Sequence, residues 1–336
     1  MNPLEAHALP VHVQSFFSDR LIHQKAVSPH TVASYRDTFR LLLDYTCQQT
    51  GRLPTDLLVT DLDANMVSGF LSHLENHRNN GVRTRNTRRA AIVSFFQYVA
   101  IREPALLLQC QQVLAIPAKR QTKRPIDFLD STESDALLSA PDLSTWIGRR
   151  DRTILLVALQ TGLRVSELIR LNVGDVVLDP PSQAAVQCMG KGRKERATPL
   201  RGDSRAALSQ WLQENTGAPD RPLFVSNRQK RFSRDGIERI VHKYTRMAAQ
   251  TCPSLRDKRV SPHTLRHTAA MELLRSGVSC TVIALWLGHE SMETTQIYLH
   301  ADMEIKKQAM DQTRPTEVPE GTYQPDDALL AYLDAL

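Results

Sequence analysis

Residues 151–171 read DRTILLVALQTGLRVSELIRL. The stretch is a helix, a glycine turn and a second helix, with Gly162 at the break. Past residue 171 the chain changes character. Short strand signals appear at VVL (176–178), AAVQCM (184–189) and RATPL (196–200). The last two flank GKGRKE, a hairpin-turn signature. Beyond them the pattern is helical to about residue 310. The second half is therefore mainly α with a small antiparallel sheet, and it begins near residue 126.

Ahead of it the chain is helical. Ser28-Pro29 is a favourable N-cap and first-turn pair. Val32, Tyr35, Phe39, Leu42 and Leu43 recur at helical spacing until Gly51 stops the run. Further helices are expected near ANMVSGFLSHLENHR and over TRNTRRAAIVSFFQYVA, where Ile92, Phe95, Phe96 and Val99 share a face. Residues 78–89, RNNGVRTRNTRR, carry five arginines and no acid. In isolation such a run is a solvated helix start; the alternative is bidentate contact with phosphate. Four of the six residues 119–124 are Lys or Arg, flanked by Pro117 and Pro125. They read as an extended basic linker. Ser131 or Thr132 is expected to cap the next helix. The expected domains are thus 1–118, a linker at 119–125, 126–310, and a tail at 311–336. The tail carries acids but no base after Arg314 and ends in DDALLAYLDAL. Its leucine face is too short to be a stable helix alone, so it is expected to dock on its own body or on a neighbouring subunit.

Composition narrows the class. The 336 residues are 41% hydrophobic, with a formal net charge of +6, which permits nucleic-acid binding without requiring it. No apolar run approaches the roughly 18–20 residues needed to span a bilayer, and the first residues lack the order of a secretion signal. A cytoplasmic protein without membrane partners is expected. The five cysteines are scattered, with no CxxC pair, and read as free thiols rather than metal ligands.

Four local signals lie in the second half: TGLRVSEL, GKGRKER, SPHTLRH and LGHESMETTQIYLH. Singly, each has a plain reading. Arg164 fits a surface arginine, and GKGRKER fits a basic hairpin that lacks the GxxxxGK[ST] of a nucleotide loop. His263 and His267 sit four apart, but no HExxH pattern or third ligand marks zinc. Tyr298 fits a core aromatic. Together they supply what metal-free phosphodiester chemistry needs. Guanidinium forks stabilise charge on the non-bridging oxygens. A side-chain hydroxyl can form a covalent intermediate. Neighbouring arginines are expected to lower the tyrosine pKa from its usual value of about 10. A lysine can protonate a leaving alkoxide.

In this order the motifs resemble the tyrosine recombinase, or phage integrase, family. TGLRVSEL resembles the first-arginine box, HTLRH its HxxR box, and LGH with Tyr nine residues after its histidine the last box. The motifs span about 135 residues, and the helical front half resembles the SAM-like core-binding domain. The resemblance implies a C-shaped clamp on double-stranded DNA, with a SAM-like domain and an α+β catalytic domain. It implies that Tyr298 attacks the scissile phosphate to give a 3′-phosphotyrosyl link. Arg164, Arg266 and His289 would hold the phosphate, His263 would take the phenol proton, and Lys191 would protonate the 5′-oxygen. Lys194 is the rival lysine. Glu167 and His267 would orient the arginines and His263. Tyr323 and Tyr332 lack the histidine box.

The same resemblance turns the arginine run towards DNA. Arg83, Arg85, Arg88 and Arg89, with Lys119, Arg120, Lys123 and Arg124 of the linker, become DNA-binding candidates; Arg85, Arg88 and Arg89 are candidates for reading guanine. No metal and no cofactor is implied. The expected partners are DNA bearing specific recombination sites and further copies of the chain, four in the synapse, with hetero-partner recombinases as a variant. Strand exchange through a Holliday junction in integration or transposition of a mobile element is the leading role. Chromosome-dimer resolution, a type IB topoisomerase and a DNA-binding accessory protein on the same fold are the alternatives.

Overall fold

The computed structural model describes residues 8–120, 126–189 and 195–288, together with Thr295 and Tyr298. The chain divides into two compact units, Met1–Lys123 and Arg124–Leu336.

The first unit is all helical. Its elements are α1 (Leu9–Ser15, continued by a π-helical stretch Phe16–Gln24), α2 (Pro29–Thr50), α3 (Ala64–Asn76), α4 (Val82–Arg102) and α5 (Leu107–Leu114). Ser28 caps α2 by accepting from the Thr31 N–H, and Gly51 ends it at φ +70°, a backbone state that glycine adopts without strain. The helical spacing read from the sequence buries Phe39 and Leu42 of α2 against Ile92, Phe95, Phe96 and Val99 of α4. Phe16 joins them edge-on to Phe95, with ring centroids 5.4 Å apart. Each such fully buried side chain stabilises the unit by about 1.5–3 kcal/mol in transfer terms.

The second unit contains α6 (Ser131–Ser139), α7 (Trp146–Thr161), α8 (Val165–Arg170), strands β1 (Val176–Val177), β2 (Ala185–Met189) and β3 (Glu195–Pro199), then α9 (Gly202–Glu214), α10 (Arg234–Ala248), α11 (Pro262–Arg275) and α12 (Cys280–Leu287). The sheet order is β1-β2-β3, with both pairs antiparallel and Cys188 opposite Arg196 in the hairpin. The helix α7 is central. Ile154, Leu155, Leu156, Val157, Ala158 and Leu159 are all buried, so it is covered on every side, as an apolar-all-round helix must be. Both α9 and α11 pack on it.

The cap of α6 corrects the sequence reading. Asp130, not Ser131 or Thr132, accepts from the Glu133 N–H at 2.8 Å. Glu133 returns the bond to the Asp130 N–H at 3.0 Å. The D-x-x-E spacing of a reciprocal box decides the register over two equally suitable hydroxyl residues. Among the described residues no helix is long and apolar enough to cross a membrane.

Candidate active site

The loop from α7 to α8 sets the first cation. Gly162 closes α7 at φ +61°, and a Cβ there would meet Leu287 Cδ2 at 2.5 Å. The turn thus needs glycine both for its backbone state and for the approach of α12. Two residues on, the Arg164 N–H and Nη1 both donate to Glu167, at 2.7 and 2.8 Å. Arg164 Nη2 donates to the Gly288 carbonyl at 2.8 Å.

Arg266 arrives from α11, whose start is fixed by Ser261 capping the Thr264 N–H. It is 4% exposed. Its Nη1 donates to the Gly162 carbonyl at 2.6 Å and its Nη2 to the Leu287 carbonyl at 2.8 Å. A buried guanidinium is tolerated here because the carbonyls at two helix C-termini carry partial negative charge. Burial, and then the Arg164 charge, pull its pKa down to about 10. It stays protonated at neutral pH.

A third guanidinium belongs to Arg196 on β3. Its Nη2 donates to Glu167 Oε2 at 2.8 Å and its Nη1 to the Leu287 carbonyl at 2.8 Å. The sequence reading left it out. Strand alternation puts residue 196 on the face of Thr198, but that this face points inward shows only in the structure, where Thr198 is fully buried. Glu167 therefore holds two arginines rather than Arg164 alone, and is itself buried. One carboxylate faces three guanidiniums, which leaves a net positive site.

The hydroxyl of Tyr298 lies 2.9 Å from His267 Nδ1. The tyrosine is 1% exposed and sits in an apolar cluster with Ala270, Met271, Leu274, Ile283 and Leu287. The expectation of a lowered phenol pKa is corrected. Burial dominates and pushes Tyr298 up to about 12, although Arg266 and Arg164 pull the other way. His267 is pushed down to about 4, by burial first and then by His263 and Arg266. It is neutral at pH 7, so a ring nitrogen can accept the phenol's hydrogen bond. His263 lies one turn earlier on α11 with a solvent-exposed edge. Neighbouring protein atoms, then Arg234, Arg266 and Arg164, hold its pKa below the ordinary value. Lys191 and His289, and the rival Lys194, lie outside the described residues, as do Lys123, Arg124 and the tail.

These shifts fix a pH dependence. Between pH 6.5 and 4 the unfolded chain protonates His267 before the folded one does, so stability falls as pH falls. Between pH 10 and 12 the unfolded chain loses the Tyr298 proton first, so stability falls as pH rises. Each flank is worth on the order of 3 kcal/mol at most. Thermal melts across pH are expected to show a plateau between these limits, and His267→Gln to flatten the acidic flank.

The arginine run at 78–89 divides in the structure. Arg83 is exposed at the start of α4. Arg85 is buried, 3.5 Å from Glu75, and donates to the Pro117 carbonyl at 3.3 Å. Arg89 donates to the carbonyls of Ile116 and Leu114. Arg88 is half-buried with its Nη1 3.5 Å from Thr38 Oγ1. Arg89 is committed to the end of α5, whose final carbonyls need donors, and Arg85 to Glu75 and the Pro117 carbonyl beyond it. Lys119 is fastened to the first unit by Glu75 at 2.7 Å and by Asn86. Arg120 is exposed.

A buried phenol beside a histidine, with a cationic cluster drawn from distant segments of the second unit, is the outline of a DNA strand-cutting tyrosine enzyme. The sequence comparisons agree. The description "Phage integrase family" matches residues 127–304, and "Phage integrase, N-terminal SAM-like domain" matches residues 14–103. The chain belongs to the phage integrase family and is a site-specific tyrosine recombinase. It is 47% identical over 324 residues to a protein of Sinorhizobium fredii named as integrase/recombinase y4rC, covering 96% of this chain and 97% of that one. It is 31% identical over 313 residues to tyrosine recombinase XerD of Pseudomonas putida, covering 91% and 96%. Among solved structures, the Tn1549 transposon integrase in complex with transposon right-end DNA shares the fold, with a TM-score of 0.67 at 16% identity over 89% of this chain and 98% of that one.

Proposed function

We propose that Tyr298 cuts DNA by attacking the scissile phosphorus. The Tyr298 Oη–P bond forms, the P–O5′ bond breaks, and the enzyme is left on the 3′ side. Arg164 and Arg266 hold the non-bridging oxygens, with His289 as a further donor. Lys191 gives its proton to the leaving 5′-oxygen. The phenol proton leaves along its hydrogen bond to His267, which relays it without holding it, to His263 at the solvent edge. His263, the base expected from the family resemblance, thus becomes the outer member of a two-histidine path. Attack by a 5′-hydroxyl of another strand reverses the step and conserves the phosphodiester. The single observation that carries this reading is the 2.9 Å contact between the Tyr298 hydroxyl and His267 in the field of Arg164 and Arg266.

The helical unit, read as residues 1–118 with a basic linker at 119–125, is the proposed core-binding domain. The catalytic domain is 126–310, and the acidic tail at 311–336 docks on a neighbouring copy within a tetramer. The biological role is integration or transposition of a mobile element. Its support is the 47% identity to a protein named integrase/recombinase. The test is a plasmid carrying two copies of the DNA that flanks the gene, incubated with protein in EDTA without nucleotide. Deletion or inversion between the copies is expected. Absence of both recombinants and protein–DNA adduct would sink the reading.

Exposure sorts the arginines for DNA contact. Arg83 is free to meet phosphate, and Arg83→Ala is expected to lower the slope of log K against log salt by about 1 without changing the melt. Arg89→Met is expected to do the reverse. It strips donors from the Ile116 and Leu114 carbonyls, costs about 1–3 kcal/mol and leaves the salt slope alone. Filter binding over a salt series, paired with thermal melts, separates the two.

A further inference from the structure

Arg196 is the one cation of the cluster to which the family motifs give no role. Three observations bear on it. Its guanidinium takes the two oxygens of Glu167 from one side, at 2.8 and 3.3 Å. Arg164 takes the same two oxygens with its N–H and Nη1 at 2.7 and 2.8 Å. The carboxylate is thus pinned between two cations, and the aim of Arg164 depends on where Arg196 holds it. Next, Arg196 and Arg266 share the Leu287 carbonyl, each at 2.8 Å. Finally, Gly288 stands at φ +65°, and a Cβ there would fall within 2.0 Å of Arg196 Nη1. The guanidinium therefore lies directly against the peptide that leads into His289.

We propose that Arg196 is a positioning residue of the recombinase site. Through Glu167 it fixes the aim of Arg164, and through the Leu287 carbonyl it ties strand β3 to the segment that leads into His289. β3 also follows immediately on the sequence segment bearing Lys191. Arg196 thus links the motifs carrying the first arginine, the lysine and the last histidine without itself touching DNA. Charge alone does not perform this task. The fork geometry is required, because one guanidinium spans a carboxylate and a carbonyl at once, which an ammonium cannot match. The guanidinium also borders a cavity of about 610 Å³ lined by Arg170, Asn172, Gln187 and Met189. A shorter side chain would admit water there rather than leave a sealed void.

The inference rests on the recombinase reading, and the test keeps the two apart. A nicked duplex is first captured by the wild-type protein, as an SDS-resistant adduct, from a library with randomised arms. With wild type reacting and Tyr298→Phe not, the recombinase reading stands, and failure of wild type to react at all removes that reading and this inference together. On the captured duplex, Arg196→Met is expected to slow single-turnover adduct formation by roughly 100-fold, the scale of a misaimed catalytic group, while DNA affinity stays within about twofold. Arg196→Lys is expected to recover only about tenfold of that loss, because it restores charge without the fork. In a Glu167→Gln background, Arg196→Met should add clearly less than its full loss in the wild-type background, since the path through Glu167 is already cut and only the tie to the Leu287 carbonyl remains. Three results overturn the proposal: a rate within about threefold of wild type, a rate loss matched by an equal loss of DNA affinity, or full multiplication with Glu167→Gln. If Arg196→Met fails to fold, Arg196→Lys decides alone, and a wild-type rate in that folded variant rejects the idea.

Discussion

Tyr298→Phe is expected to lose covalent attachment to DNA by at least about 10⁴-fold while remaining folded, because deletion of a covalent nucleophile leaves only binding and electrostatics. The substitution is close to isosteric. The ring keeps its packing on Ala270, Met271, Leu274, Ile283 and Leu287. It gives up the hydrogen bond to His267 Nδ1 at 2.9 Å, worth about 1 kcal/mol. DNA affinity should hold, since a hydroxyl with 1% exposure on its residue offers little to the duplex in the free protein. The check is an SDS gel of labelled nicked duplex beside a gel shift of the same pair. Adduct persisting in the variant would move the nucleophile elsewhere, with Tyr323 and Tyr332 next in line.

Arg266→Lys should cost the second-largest amount. An ammonium cannot reach the Gly162 and Leu287 carbonyls together and still offer donors to a phosphate. Loss of one preorganised donor at a developing oxyanion is worth about 10²–10³-fold in rate. Stability should fall too, by about 1–3 kcal/mol, because the Gly162 carbonyl loses a charged donor. Leu287 keeps Arg196, which limits the damage. Burst kinetics on the captured duplex and a denaturant titration measure the two costs separately. A variant that cleaves at wild-type speed would remove Arg266 from the phosphate site.

Much of this site was legible as sequence because its members sit in short, ordered motifs. Arg164, Glu167, His263, Arg266, His267 and Tyr298 all come from three of the quoted stretches, and the structure draws them into one region of the second unit. The strands were legible as three short apolar or β-prone runs, and the pairing of the last two from the glycine-bearing GKGRKE between them. What could not be read was depth. Composition shows arginines near a tyrosine but not that the phenol is sealed in an apolar cluster, so the direction of its pKa came out reversed. Inward charge was equally hidden. Arg85 and Arg89 look like any solvated helix start until Glu75 and the carbonyls at and beyond the end of α5 take them up. Asp130 lost its cap to Ser131 and Thr132 in the reading because three good capping residues stand in a row, and only the partner three positions later chooses among them.

The shared Leu287 carbonyl has a consequence for engineering. Two guanidiniums from distant parts of the sequence converge on one oxygen; the glycine at 288 leaves room for Arg196, and the glycine at 162 leaves room for the Leu287 side chain. Such a knot is inherited or transplanted whole. A chimera that imports the stretch from α12 through Tyr298 from a relative, while leaving β3 and the α7–α8 loop behind, should fold yet cut poorly. Activity should return only when all three segments share one parent.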